Sequence, residues 1–157
     1  MAFPHDFEER RLRAAQGVHF SGWKEWVSLP EVGGVRLRAK LDSGARSSAL
    51  HVEQLEITQI NNTPVATFIL PIQKTPKIHV LPLLNHRHVR NSGGHMELRP
   101  FVRMRIHLGP FIWDAEVSLT NRQSMRYRML LGRTALASRF VIHPSATYLW
   151  GGRSRLT

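Results

Sequence analysis

One aspartate stands where a carboxylate could do chemistry. Asp42 directly follows an apolar run and is followed by Ser43 and Gly44, a turn whose glycine lets the backbone approach a ligand or a second chain. Such a carboxylate can act as base on a water molecule, but peptide hydrolysis by this route needs a second, protonated carboxyl group nearby. The sequence has no internal repeat of this turn, so the second acid would come from another copy of the chain.

The rest of the chain must position this turn, and its pattern predicts strands. Between residues 35 and 41, apolar residues alternate with Arg36, Arg38 and Lys40, which indicates one core face and one basic face. Proline and glycine connections precede this strand and separate residues 101–108 from residues 111–119. The other predicted strands are residues 23–29, 49–52, 55–60, 65–70, 78–83 and one that runs through 141. These spacings predict an all-β barrel or sandwich.

Two other segments are expected to be irregular or helical. Residues 85–94 are rich in His, Arg, Asn, Ser and Gly and have no face that could be buried, which predicts a mobile loop. Residues 129–133 read Met-Leu-Leu-Gly-Arg, an apolar strand that ends at glycine, and residues 133–140 follow as one short helix. We divide the chain into a short helix or mobile arm at residues 1–19, one domain at 20–150 and a tail at 151–157.

Composition narrows the function. The 157 residues carry a formal charge of +11, mostly from arginine, and no cysteine, which excludes disulfides, thiolate catalysis and cysteine-based metal sites. A positive field attracts polyanions, either phosphate backbones or runs of carboxylates. The charged N-terminus and the lack of any long apolar run predict a soluble, cytoplasmic protein without a membrane segment.

Three blocks carry a resemblance to a known family. They read Gly-Trp-Lys-Glu-Trp-Val at residues 22–27, Ala-Lys-Leu-Asp-Ser-Gly-Ala-Arg-Ser-Ser-Ala-Leu at 39–50, and Met-Arg-Tyr-Arg-Met-Leu-Leu-Gly-Arg at 125–133. The sequence resembles the retropepsins, in which an Asp-Thr/Ser-Gly-Ala turn is crossed by a segment of two hydrophobic residues and a glycine that leads into a helix. It is more similar still to the bacterial RimB family, which is also labelled as ATP-dependent zinc proteases.

The resemblance implies a single-lobe retropepsin-like barrel that works as a homodimeric aspartic endopeptidase. It assigns catalysis to Asp42, Ser43 and Gly44, with Ser43 bonding across the dimer interface. It implies that the enzyme removes poly-glutamate tails that a RimK-type ligase adds to a small-subunit ribosomal protein. The substrate-binding residues would be Ala45, Arg46, Ser47, Arg126, Arg128 and Arg133, and the flap that closes over substrate would contain His86, Arg87, His88, Arg90 and Asn91.

The chain departs from the viral retropepsins beside this turn. Arg46 stands where those proteins usually have an acidic residue, and Thr134 stands where their helix begins with Asp or Asn. The Arg to Asp pairing is therefore absent, and we hypothesise that Arg46 and Arg133 offer their guanidinium groups to acidic substrate side chains.

The zinc and ATP labels find no support in the residues. The sequence has no His-Glu-x-x-His segment and no glycine-rich phosphate loop, so we predict neither a metal nor a cofactor. His79, His86, His88 and His95 gather around the predicted loop. His86 and His88 would face one side of an extended segment, where they are either solvated loop histidines, the interpretation we favour, or a metal pair.

Two functions of a different class stay open. A basic barrel could bind nucleic acid, although the sequence shows no evident platform of exposed aromatic residues for stacking bases. A non-catalytic module could bind acidic tails without cutting them.

Overall fold

The computed structural model describes residues 17–151, so the predicted N-terminal helix and nearly all of the C-terminal tail lie outside the described residues. The strands are β1 (His19–Leu29), β2 (Val35–Leu41), β3 (Ser48–His51), β4 (Glu53–Ile60), β5 (Thr63–Ile69), β6 (Ile78–Pro82), β7 (Asn85–Arg90), β8 (Met96–Leu108), β9 (Phe111–Thr120), β10 (Met129–Leu131) and β11 (Phe140–Thr147). A 3-10 turn, Pro30–Val32, follows β1, and one short helix, α1 (Arg133–Leu136), precedes β11. The all-β prediction is confirmed.

The strands form two sheets. Eight strands pair in the order β11-β1-β2-β10-β3-β9-β8-β7, and one further pairing, Ser28 opposite His107, joins β1 to β8. Strands β4, β5 and β6 form a separate antiparallel sheet. The pairing of β1 with β8 curls the larger sheet into a barrel, which encloses the core.

The core follows from strand alternation. In β2, Leu37, Ala39 and Leu41 are buried while Arg36 and Arg38 are exposed, as the period-two pattern predicts. The buried set continues through β8 and β9 as alternating apolar side chains. One face of β2 therefore packs into the core, and its other face carries polar side chains that can contact solvent or a ligand.

The prediction of a loop at residues 85–94 is wrong for residues 85–90. Residues 85–90 form β7, which pairs antiparallel with β8 from Asn85 opposite Phe101 to Arg90 opposite Met96. The polar composition reflects a hairpin with both faces largely in water, because backbone pairing with β8 requires no apolar face. The predicted helix at residues 133–140 is also shorter, since Ser138 has a φ of 63° and β11 starts at Phe140.

The start of β1 is held by a buried carboxylate. Glu25 is fully buried, and its Oε1 accepts hydrogen bonds from the backbone N–H groups of Gly22 at 2.8 Å and Leu149 at 2.9 Å. These bonds attach the segment after β11 to β1, which extends to His19 and pairs with β11 in parallel. The pairing explains why β1 is longer than its predicted range of 23–29.

Among the described residues, no helix has the length and apolar character needed to cross a lipid bilayer.

Candidate active site

Asp42 lies where three strands meet. Although β2 and β3 follow each other in sequence, β10 lies between them, parallel to β2 and antiparallel to β3. The backbone N–H of Asp42 donates to the carbonyl of Leu131 at 2.9 Å, which extends the pairing of β2 with β10 by one residue. The segment 129–132 thus crosses the Asp42 turn, as the resemblance implied.

The crossing requires a glycine at position 132. A Cβ atom on Gly132 would lie 2.5 Å from the carbonyl carbon and oxygen of Ser47 and 3.0 Å from the carbonyl oxygen of Ala45. The backbone N–H of Gly132 also donates to the buried hydroxyl of Ser48 at 3.0 Å. The two segments are therefore in backbone-to-backbone contact, with no flexible side chain between them.

Four further hydrogen bonds fix the turn to the start of α1. The backbone N–H groups of Arg133 and Thr134 donate to the carbonyls of Ala45 at 2.7 Å and Arg46 at 3.1 Å. The Thr134 hydroxyl donates to the Arg46 carbonyl at 3.0 Å, and the Arg133 guanidinium donates to the Ser43 carbonyl at 2.8 Å. Because these bonds hold successive residues of the turn, the position of Asp42 is set by the fold.

The Asp42 carboxylate itself is half-buried and held by two contacts. Its Oδ1 accepts a hydrogen bond from the Gly44 N–H at 2.9 Å, and its Oδ2 lies 3.5 Å from the Lys40 ammonium group. The carboxylate faces a cleft lined by Asp42, Gly44, Ala45, Arg46, Ser47, Ala49, His88, Val89, Arg90, Asn91, Ser92, Arg99, Arg122, Met125 and Leu130. Among these residues Asp42 is the one carboxylate, and four are arginines.

The hairpin of β7 and β8 forms the opposite wall of the cleft. In its turn, the Asn91 side chain accepts hydrogen bonds from the backbone N–H groups of Gly93 at 3.0 Å and His95 at 3.1 Å. The Arg122 guanidinium donates to the Ser92 hydroxyl at 2.8 Å, which joins the tip of the hairpin to the segment between β9 and β10. A substrate in the cleft would lie between the Asp42 turn and this hairpin.

His51, which the sequence analysis missed, supports the Arg122 side of the cleft. The side chain is fully buried at the end of β3, and its Nδ1 accepts a hydrogen bond from the backbone N–H of Arg122 at 3.0 Å. Burial, and then the charge of Arg128, lower the pKa of His51 below its ordinary value. Its Nε2 has no hydrogen-bond partner within residues 17–151, with Glu53 3.9 Å away. A neutral imidazole with an unprotonated Nδ1 matches this arrangement.

The structure separates the predicted binding residues into two groups. Ala45, Arg46 and Ser47 line the cleft, and Arg126 lines an adjoining cleft that shares Ser92, Arg122, Met125 and Leu130 with the first. Arg128 and Arg133 line neither: the Arg128 carbonyl accepts a bond from the His51 N–H, and Arg133 lies in a groove on the far side of Ser43.

The predicted flap residues are divided in the same way. His88, Arg90 and Asn91 line the cleft, whereas Arg87 forms an ion pair with Glu116 at 2.7 Å and His86 is exposed. The sequence analysis also missed Arg99, which is 5% exposed and pairs with Glu97 at 2.9 Å. Its place in a long strand with other arginines gave no signal to distinguish it.

The histidines that surround the predicted loop in the sequence do not all come together in the structure. His86 and His88 share one face of β7, but His79 lies on β6 in the other sheet, where its Nε2 bonds the Gln73 side chain at 2.9 Å. Burial, and then Lys77, lower the pKa of His79. Within residues 17–151 no three His, Asp or Glu side chains are placed to hold a metal ion.

Comparison with known proteins gives one family. Residues 20–151 match the sequence model of the RimB-like family, described as retropepsin-like aspartic endopeptidase RimB. Two similar relatives carry the name of probable alpha-L-glutamate ligase. The one from Shewanella halifaxensis is 36% identical over 134 residues, 83% of this chain and 29% of that protein. The one from Parasynechococcus marenigrum is 37% identical, with the same coverage. The chain therefore spans less than a third of these relatives.

A solved structure shares the fold. The crystal structure of protein Lpg0085 from Legionella pneumophila, a protein of unknown function, superposes with a TM-score of 0.72 at 27% sequence identity. The match covers 84% of this chain and 98% of that one.

Proposed function

The chain belongs to the RimB-like family of retropepsin-like aspartic endopeptidases, and on this basis we propose that two copies of it form an aspartic peptidase that trims poly-glutamate tails. The observation that carries the proposal is the placement of Asp42, held by the crossing of β2 and β10 and facing a cleft that the β7–β8 hairpin closes on the opposite side. A carboxylate positioned by backbone bonds beside a substrate-sized cleft suits general acid–base catalysis.

The second carboxylate is the Asp42 of another copy. Asp42 is the one acid among the described residues that line the cleft, and hydrolysis needs a base and an acid together. Ser43 and Gly44 are exposed beside a groove that also contains Val141, half of which is exposed. Strand β11 forms one edge of the eight-stranded sheet. An exposed turn, an apolar groove and a strand that pairs on one side only among residues 17–151 favour a twofold contact here.

The reaction follows from the shared pair. One carboxylate removes a proton from water, whose oxygen attacks the scissile carbonyl carbon, while the protonated partner donates a hydrogen bond and then its proton to the carbonyl oxygen. Collapse of the tetrahedral diol breaks the C–N bond as the nitrogen receives a proton from one carboxyl group, while the other carboxylate takes a proton back from a diol hydroxyl, which regenerates the singly protonated pair.

The charge of the cleft supports an acidic substrate. Arg46, Arg90 and Arg122 line it together with Arg99, and the chain carries a formal charge of +11. Guanidinium groups bind carboxylates with two parallel hydrogen bonds, so a glutamate chain is a suitable ligand. We propose that the tail is one that a RimK-type ligase adds to a small-subunit ribosomal protein, and that the enzyme acts in the cytoplasm.

The names of the relatives fit a peptidase that works beside a ligase. They are given to proteins of which more than two thirds has no counterpart in this chain. This sequence has no glycine-rich phosphate loop for ATP, and its cleft contains an aspartate in a retropepsin-like turn. We therefore propose that this chain catalyses hydrolysis. We propose that its connection to glutamate ligation is functional, as a peptidase that works beside a ligase.

The test is to incubate purified protein with a glutamate-tailed peptide and to weigh the products by mass spectrometry. We expect a ladder of products that differ by one or more glutamates, and no ladder with Asp42→Asn. Asp114→Asn is the matched control. Asp114 is an exposed carboxylate on β9 that pairs with Arg105 of β8, and it does not line the cleft. Cleavage that survives Asp42→Asn would refute the catalytic assignment.

Mixed dimers test the need for two copies. If subunits exchange freely, a fixed amount of wild-type chain mixed with a threefold excess of Asp42→Asn should keep about a quarter of its activity, since most active chains then pair with an inactive one. An equal excess of Asp114→Asn should cause no such loss. Undiminished activity in the first mixture would show that each chain works alone. Tail binding without cleavage by the wild type would favour a non-catalytic module.

A further inference from the structure

The outer face of β1 and β2 carries a row of cations that leads to Asp42. Because side chains alternate along a strand, Arg36, Arg38 and Lys40 share the face on which the Asp42 carboxylate lies, as the Lys40–Asp42 contact of 3.5 Å shows. Lys24 of β1 lies directly opposite Lys40 and therefore shares that face. We refer to Lys24, Arg36, Arg38 and Lys40 as the cation track.

Two of the four cations of the track, Lys24 and Arg36, lie over aromatic rings. The Arg36 guanidinium lies 4.8 Å from the ring centre of Trp26, and the Lys24 ammonium lies 4.9 Å from that of Trp23 and 5.4 Å from that of Tyr148. Among the described residues, the one ion pair on the track is that of Lys40 with Asp42. Aromatic faces hold a cation in place without cancelling its charge.

Repulsion among the cations of the track destabilises the sheet, and an anionic ligand would relieve it. Lys24 and Lys40 are direct cross-strand neighbours, and like charges in that position destabilise a sheet. Arg36 and Arg38 add two more exposed cations to the same face. An anionic chain lying along β2 would relieve this repulsion, whereas water alone only screens it.

The track is continuous with the cleft. Lys40 lines the adjoining cleft together with Trp23, Arg126 and Tyr127, and that cleft shares Arg122 and Leu130 with the one that contains Asp42. Leu130 of β10 is paired with Lys40 of β2, so the surface that lines the two clefts continues from β2 onto β10. A bound peptide that extends out of the Asp42 cleft on this side would next contact the cation track.

We propose that the cation track binds the part of an acidic peptide that extends beyond the scissile bond, so that the enzyme selects long glutamate tails. This rests on the proposed peptidase function. Alternate residues of a strand are about 7 Å apart, and an extended peptide presents its same-side carboxylates at that same spacing. The path from Arg36 to Asp42 is six residues, about 20 Å, so about six substrate residues can engage the track.

The test uses peptides with two, four, six and eight glutamates. For the wild type, kcat/KM should rise with tail length and level off near six residues. The double variant Arg36→Ala/Arg38→Ala should cleave the eight-glutamate peptide about tenfold less efficiently while changing the two-glutamate peptide less than about twofold, since exposed charge pairs contribute modestly each. Arg36→Lys/Arg38→Lys should regain most of the length dependence.

A second double variant controls for total charge. Lys74→Ala/Lys77→Ala also removes two positive charges, from the segment before β6, and should leave the length dependence intact. If both double variants reduce cleavage equally, or if the arginine variant affects all lengths alike, the track does not select tail length.

A binding measurement distinguishes failure of the cation-track proposal from failure of the peptidase proposal. Asp42→Asn with a fluorescein-labelled eight-glutamate peptide should show an anisotropy change whose Kd rises about tenfold when Arg36→Ala/Arg38→Ala is added, whether or not the wild type cleaves. Binding that the double alanine substitution leaves unchanged would overturn the track. Tighter binding of an eight-nucleotide oligouridylate than of the peptide, at equal salt, would assign the track to nucleic acid instead.

Discussion

The substitution Gly132→Ala tests whether the backbone crossing positions Asp42. The new Cβ would lie 2.5 Å from the Ser47 carbonyl atoms, roughly 1 Å short of an optimal carbon contact. No side chain can rotate away, because the atoms it meets belong to the backbone of Ser47 and Ala45. The turn must shift, at a cost typical of overpacking, about 1–3 kcal/mol. For a chain of this size that lowers Tm by about 3–10 °C.

The effect on catalysis should exceed the effect on folding. A displacement near 1 Å at reacting groups costs on the order of 100-fold in rate, so kcat/KM per folded molecule should fall by that factor. The matched control is Gly22→Ala, whose Cβ would lie 2.6 Å from the Ala146 carbonyl oxygen where β1 meets β11. It should lower Tm similarly but change kcat/KM less than about threefold.

The assay combines thermal unfolding with cleavage of the glutamate-tailed peptide, each measured well below Tm. Full activity in Gly132→Ala, or equal loss of activity in both glycine variants, would refute the reasoning that the crossing sets the position of Asp42.

Two further predictions concern the walls of the cleft. Because His51 has a lowered pKa in the fold, while the unfolded chain protonates it near 6.5, the free energy of unfolding should fall as pH drops below that value. His51→Asn, whose amide oxygen can replace Nδ1 as acceptor, should reduce this fall in urea unfolding series; an unchanged pH profile would contradict the assignment. Arg46→Ala should raise KM for glutamate-rich peptides far more than for neutral ones, with Arg139→Ala as control, and equal increases would end that hypothesis.

Sequence alternation predicted the strands that are half-buried. Strand β2 was predicted within its observed bounds, because packing imposes one apolar face on a strand of the barrel wall. The same criterion failed for β7, which is paired with β8 through its backbone but has no fully buried residue. Hydrophobic periodicity reports the burial of side chains and not the hydrogen bonding of the backbone. It therefore does not detect the strands of a hairpin that projects into water.

The site was predictable where it is local and hidden where it is assembled from distant segments. Asp42 to Ser47 form one continuous turn, and the resemblance located it directly. Arg99 and His51 act through long-range contacts, in the cleft wall and through the Arg122 backbone, that no spacing in the sequence encodes. The contact of Arg133 was hidden for the same reason: its guanidinium donates to the Ser43 carbonyl, a partner visible only after the turn is folded.

The position of β2 within the sheet bears on how the proposed tail selection would be connected to the proposed catalysis. The strand is flanked by β1 on one side and β10 on the other, so its backbone is paired along both edges near Asp42. The distances from Arg36 and Arg38 to the Asp42 carboxylate are therefore fixed by strand geometry rather than by a loop. A rigid spacing of this kind would require no conformational change to register tail length, because carboxylates bound along the strand would already place the peptide in line with the Asp42 turn. Tail length should consequently act on KM more than on kcat for peptides that reach the turn, since track contacts formed in the bound substrate persist in the transition state.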